Sequence, residues 1–79
     1  MYIFTMNNDI VNLDQVQTVT FFTDKNQSAE VVAMFPDGKD VPIIYCDNAA
    51  DAEKILKEIQ GELIDHGCGY IDIMEVIRA

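Results

Sequence analysis

The hydrophobic pattern of this chain changes period near Asn48, and that change limits the folds the chain can adopt. Between Val16 and Cys46, apolar residues alternate with polar ones or form short β-branched runs, which is typical of strands. After Asn48 the spacing becomes about 3.6 residues and indicates an amphipathic helix. The sequence therefore predicts an α+β fold, an antiparallel β-meander of about four to five strands packed against one α-helix at about residues 49–66, with a short C-terminal strand.

Three segments fit neighbouring strands of this meander: residues 16–23, 29–35 and 41–46. In the first, Val19 and Phe21 point to one face and the residues between them to the other. The turn before the third is Pro36-Asp37-Gly38-Lys39, which combines the preset φ of proline with a glycine that tolerates positive φ. Pro42 cannot donate to a ladder, so we expect a free edge or a strand start at that position.

The helix carries one apolar stripe, and its start is marked by a capping residue. Asn48 is a good N-cap, and Gly67 is the predicted end, because Gly61 weakens a helix without having to end it. The stripe consists of Ala52, Ile55, Leu56, Ile59 and Leu63.

The two ends of the chain are also predicted to form short strands. Residues 2–6 are aromatic and β-branched and stop at the turn-forming Asn7-Asn8-Asp9, and residues 10–13 fit a second short strand. For residues 69–77, the even spacing of several isoleucines favours a last strand. A helical interpretation of Ile73, Val76 and Ile77 stays open.

The charge of the chain restricts its partners. Fourteen acidic residues against five basic ones give the 79-residue chain a net charge of −9, and its size fits a single domain over residues 1–79. The few lysines and the single arginine are scattered among carboxylates, so we expect no direct nucleic-acid binding and no membrane binding. A basic protein partner or a divalent cation suits the negative electrostatic field of the chain better. No apolar run approaches the length of a membrane span and no secretion signal is visible, so we expect a cytoplasmic protein.

The residues that bear chemistry do not form a convincing catalytic or metal pattern. Cys46 and Asp47 precede the helix and His66 and Cys68 follow it, which separates the two pairs by roughly 25 Å. We therefore interpret Cys46 as a core residue, and we expect no metal, no cofactor and no enzyme activity. The loop at residues 24–30 begins like a calcium loop but lacks its glycine and its final glutamate.

Two groups of residues are candidate contact sites for a partner. The first is a stripe of carboxylates along one face of the helix, interrupted by Lys54: Asp51, Glu58, Glu62 and Asp65. Such a stripe is more often only solvated. The second group is apolar and is expected on the outer face of the sheet: Tyr2, Phe4, Phe22 and Met34.

The order of elements from Ile10 to Leu63 resembles small uncharacterised bacterial and phage proteins. The motifs are residues 10–16 leading into the meander, Phe35-Pro36-Asp37-Gly38 as a turn, and residues 47–53 opening a terminal helix. They are also similar to the last strands and helix of pleckstrin-homology-like domains. The resemblance implies a curved antiparallel sheet closed by a helix and a binding role. The basic residues that hold a lipid head group in that family are absent from this sequence, so phosphoinositide binding is not implied.

Two functional hypotheses follow from these observations. The first is a non-catalytic, small acidic protein-interaction module of bacterial or phage origin, which could also form a homodimer through its sheet. The alternative is a phage-type inhibitor of the anti-CRISPR or anti-restriction kind, in which helix carboxylates mimic nucleic acid and occupy the basic groove of a nucleic-acid-binding protein.

Overall fold

The structure is a computed structural model that describes residues 1–66 and 69–78, with all side chains in those ranges except those of residues 65, 66 and 78. Its strands are β1 (Tyr2–Phe4), β2 (Ile10–Asn12), β3 (Thr18–Thr23), β4 (Ala29–Met34), β5 (Asp40–Cys46) and β6 (Tyr70–Asp72). Its helices are α1 (Ala49–His66), α2 (Ile73–Arg78) and a short 3₁₀ turn at Leu13–Gln15. The predicted α+β class, with a meander packed on one main helix, is confirmed.

The meander consists of β3, β4 and β5 in antiparallel order. Phe21 lies opposite Val31 and Val19 opposite Ala33, so these residues share the inner face, as the alternation predicted. Val31 and Ala33 are fully buried there, and α1 packs across this face. The inner face of the meander and the apolar stripe of α1 form the main core.

Helix α1 begins and spans residues as the sequence predicted. The Asn48 side chain accepts a hydrogen bond from the backbone N–H of Asp51 at 2.8 Å, which satisfies one of the free amides at the helix start. The helix continues through Gly61, and Ala52 and Ile59 are buried. Leu63 departs from the expected stripe because it is 40% exposed. The predicted stop at Gly67 lies outside the described residues.

The remaining strands form a second, smaller sheet in the order β2-β1-β6. Strand β1 pairs antiparallel with β2 and parallel with β6, and the central Ile3 lies between Val11 and Ile71 on a buried face. Strand β1 ends before Thr5 because the Thr5 hydroxyl accepts hydrogen bonds from the amides of the following turn. The six strands of the described chain therefore belong to two sheets.

A bulge in β5 helps to connect the two sheets. The register between β4 and β5 shifts between Val31 and Val32, whose partners are Ile44 and Pro42. Ile43 is the extra residue, its side chain is fully buried, and its carbonyl accepts a hydrogen bond from Met6 N at 2.9 Å. The expectation that Pro42 occupies an edge strand agrees with the place of β5 in the sheet.

The prediction of one strand over residues 69–77 is wrong for most of that segment. The strand ends at Asp72, whose carboxylate accepts a hydrogen bond from Met74 N at 3.1 Å and so caps α2. Ile73 is buried and Val76 is half-buried, in agreement with the helical interpretation of these residues. The helix forms because i, i+3 spacing places Ile73 and Val76 on the same helix face, whereas a strand would place them on opposite faces.

Candidate functional site

A concavity lies where the end of β5, the first half of α1 and the end of α2 meet. Its volume is about 350 Å³. We call it the acidic groove, and its lining consists of Met6, Ile44, Tyr45, Cys46, Asp47, Asp51, Lys54, Ile55, Glu58, Val76 and Ile77. This volume is at the low end of ligand-binding sites, so the groove suits a small group or a short chain segment.

The floor of the acidic groove is apolar. Ile44 is buried at the end of β5, and Ile55 and Val76 are half-buried on the two helices. Ile77 is 45% exposed at the groove edge. An apolar side chain that entered the groove would therefore displace water from several aliphatic surfaces at once.

The rim of the acidic groove is mainly negative. Asp47, Asp51 and Glu58 contribute three carboxylates against the single ammonium of Lys54. Asp51 and Glu58 are two turns apart on α1, so they lie on the same flank of the helix. The groove thus combines an apolar floor with a rim that attracts cations.

Met6 joins the small sheet to this groove. The backbone N–H of Met6 donates a hydrogen bond to the Ile43 carbonyl, and the Met6 sulfur accepts a hydrogen bond from Tyr45 N at 3.2 Å. The groove wall therefore includes backbone from β5 and a side chain from the turn after β1. Because Met6 follows a strand of the small sheet and β5 belongs to the meander, the shape of the groove depends on how the two sheets are held together.

Cys46 is a poor nucleophile in this setting. Burial raises the pKa of its thiol, and the nearby carboxylates of Asp51 and Asp47 raise it further. A thiol with a raised pKa stays protonated at neutral pH, and the thiolate is the reactive form. The groove therefore does not favour chemistry that depends on a cysteine thiolate.

The structure brings only part of the predicted carboxylate stripe into the groove. Asp51 and Glu58 line it, Glu62 is half-buried one turn further along α1, and the side chain of Asp65 lies outside those described. The groove residues that sequence reasoning missed as contacts are Met6, Ile44, Tyr45, Cys46, Asp47, Lys54, Ile55, Val76 and Ile77. A signal for α2 was present in Asp72 and Glu75, which have the spacing of a capping box.

The four predicted apolar contact residues are divided between the two sheets. Tyr2 and Phe4 lie on the outer face of the small sheet, where the Phe4 ring stacks on Tyr70 with centroids 5.0 Å apart. Phe22 and Met34 lie on the outer face of the meander, where Phe22 is 51% exposed and Met34 is half-buried. They do not form one continuous surface on a single sheet.

Comparisons with protein-family models, with curated proteins and with solved structures found no match for this chain. In the part of the chain that the structure describes, neither helix has the length and apolar character needed to cross a bilayer.

Proposed function

We propose that this protein is a non-catalytic interaction module that binds a basic segment of a partner protein in its acidic groove. The observation that carries the proposal is the apolar floor of the groove beneath a rim of three carboxylates. The net charge of −9 favours the approach of a cationic partner from a distance.

Arginine and lysine side chains fit such a groove because they have two chemically different parts. Their aliphatic stems pack on apolar surface while their charged ends stay in water. A segment that places stems or a neighbouring apolar residue over Ile44 and Val76 brings its cations to Asp47, Asp51 and Glu58. The rim carboxylates are exposed, and each exposed ion pair contributes only about 0.2–1 kcal/mol, so most of the affinity comes from the floor.

The proposal is tested with a synthetic peptide of alternating arginine and leucine residues, titrated into the protein by calorimetry. Glu58→Lys removes an attraction and adds a repulsion, so we expect binding to weaken by about 2- to 30-fold. The matched control is Asp40→Lys, which changes the net charge by the same amount. Asp40 begins β5, about 20 Å along the strand from Cys46 at the groove. Equal weakening by the two variants would show that only net charge matters, and would refute the groove as the site.

The alternative that the sequence suggested, mimicry of nucleic acid, does not require the apolar floor of the groove. A mimic needs only the carboxylates of α1, whereas the module also needs apolar contact. Ile77→Ser should therefore weaken peptide binding if the groove is the site, and should leave it unchanged if the carboxylates act alone. Lys54 lies between Asp51 and Glu58 on the groove lining, which favours the module.

A further inference from the structure

Strand β3 forms an edge of the meander. Within the described chain it pairs with β4 on one side and with no strand on the other. Its six residues, Thr18–Thr23, include no charge and no proline, and its register with β4 is regular. Edge strands of natural proteins normally carry a charged residue, a proline or a bulge, because the free backbone groups of an uncharged, regular strand pair readily with another chain.

A second apolar feature lies on α1, the helix that packs against β3 and the rest of the meander. Leu63 and Ile64 near the end of α1 are 40% and 75% exposed. Relative to the buried Ile59, Glu58 and Ile64 are rotated around the helix in opposite directions, by about 100° and about 140°. Glu58 faces the groove beside β5, so Ile64 lies on the other flank of α1, and this helix also contacts β3.

We propose that two copies of this chain associate by pairing their β3 edges antiparallel about a twofold axis. The two meanders then form one six-stranded sheet, with both α1 helices on the same face and Leu63 and Ile64 near the junction. Such an interface is closed, because the same strand serves both copies and no free β3 edge is left.

Charge is the reason that the occupant is a second copy. Two chains of net charge −9 repel each other, so they can meet closely only where carboxylates are absent. Strand β3 has no charged residue to repel its own copy. Strand β3 also has no carboxylate that could attract a basic peptide, so we expect a basic peptide to bind in the acidic groove instead.

The face pattern of β3 restricts how it can pair with itself. Val19 and Phe21 face the core, whereas Thr18, Thr20 and Phe22 face outward. A continuous sheet must keep inner residues beside inner residues, and a shift by one residue would mix the two faces. One residue near the middle of the strand therefore lies opposite its own copy at the twofold axis. That residue is Thr20 or Phe21.

The dimer is tested by sedimentation velocity over about two orders of magnitude in protein concentration, because mass action controls its population. The strand edge is about 20 Å long, which gives a small interface, so we expect a reversible dimer that dissociates on dilution. Added salt should strengthen it by screening the like net charges of the two copies. Salt should weaken the binding of a basic peptide, so the two proposals can fail separately.

Two variants and a matched control address the interface. Thr20→Lys places an ammonium at the strand junction of each copy and should raise the dissociation constant about tenfold. Ile64→Gln removes an exposed apolar group from α1 and should weaken the dimer without unfolding the monomer, which circular dichroism would verify. Gln15→Lys adds the same charge at an exposed position after β2 and should leave the dimer unchanged.

Amide hydrogen exchange identifies the interface directly. If the proposal holds, protection of residues 18–23 rises with protein concentration, while that of β2 and β6 does not. A monomer at every concentration would overturn the proposal. So would a dimer that both variants leave intact, or one whose β3 amides exchange at an unchanged rate.

Discussion

At the scale of single residues, Cys46 links the groove to the pH dependence of stability. Burial, followed by Asp51 and Asp47, raises the pKa of its thiol in the folded state. The native state then keeps the proton at a pH at which the unfolded chain has lost it. The free energy of unfolding is therefore unaffected below the unfolded thiol pKa of about 8.5, and it falls as the pH rises through the folded pKa.

This dependence is measured by urea denaturation between about pH 7 and about pH 10, the range that contains the ordinary thiol pKa. Cys68→Ser serves as the background, so that Cys46 is the only thiol that titrates. Adding Cys46→Ala should flatten the alkaline fall in unfolding free energy, and adding Asp51→Asn instead should reduce it. An alkaline fall of the same size in the Cys46→Ala variant would assign the effect to other groups.

At the scale of elements, the bulge in β5 is where the two sheets depend on each other. Ile43 is fully buried, and its carbonyl accepts a hydrogen bond from the backbone N–H of Met6, which lies in the turn after β1. Ile43→Ala should lower the free energy of unfolding by about 2–5 kcal/mol, because it leaves a cavity where the strand departs from regular pairing.

Ile10→Ala is the matched control for this substitution. Ile10 is also in a strand, but it is 68% exposed on the outer face of the small sheet, so its loss should change stability by about 0.5 kcal/mol or less. Denaturant midpoints compare the two variants at an unchanged slope. Equal destabilisation by both would mean that Ile43 is not a principal core contact.

The elements differ in how far the sequence predicts them. The meander and α1 follow from local periods and from the Asn48 cap, so they are predicted with nearly correct bounds. The parallel pairing of β1 with β6 depends on contacts between the two ends of the chain, and no local pattern in either strand encodes its partner. The tail was misassigned because isoleucine suits strands and helices at several spacings, whereas the Asp72 cap decides between them.

The candidate site was predictable only where it lies on a single element. Asp51 and Glu58 share a helix, so helical spacing places them together. Tyr45, Met6 and Ile77 reach the same groove from β5, from the turn after β1 and from α2. Their proximity is a property of the tertiary fold, and neither composition nor spacing reveals it.

At the scale of the whole molecule, the net charge of −9 opposes folding because it concentrates like charges in a compact volume. Sodium chloride screens this repulsion, so the melting temperature should rise with salt at low protein concentration. For a domain of this size, each kcal/mol gained raises the melting temperature by about 4–8 °C, which differential scanning calorimetry resolves.

A pair of substitutions at the exposed Asp40 separates net charge from local contacts. Asp40→Lys changes the net charge from −9 to −7, so it should raise the melting temperature at low salt and reduce the further gain on adding salt. Asp40→Glu keeps the charge and should behave like the unchanged chain. If salt lowered the melting temperature instead, attractive ion pairs would outweigh the general repulsion. One such pair is Lys57 with Glu53, in which Nζ and Oε1 are 3.7 Å apart. The excess of carboxylates would then impose little cost on the folded state.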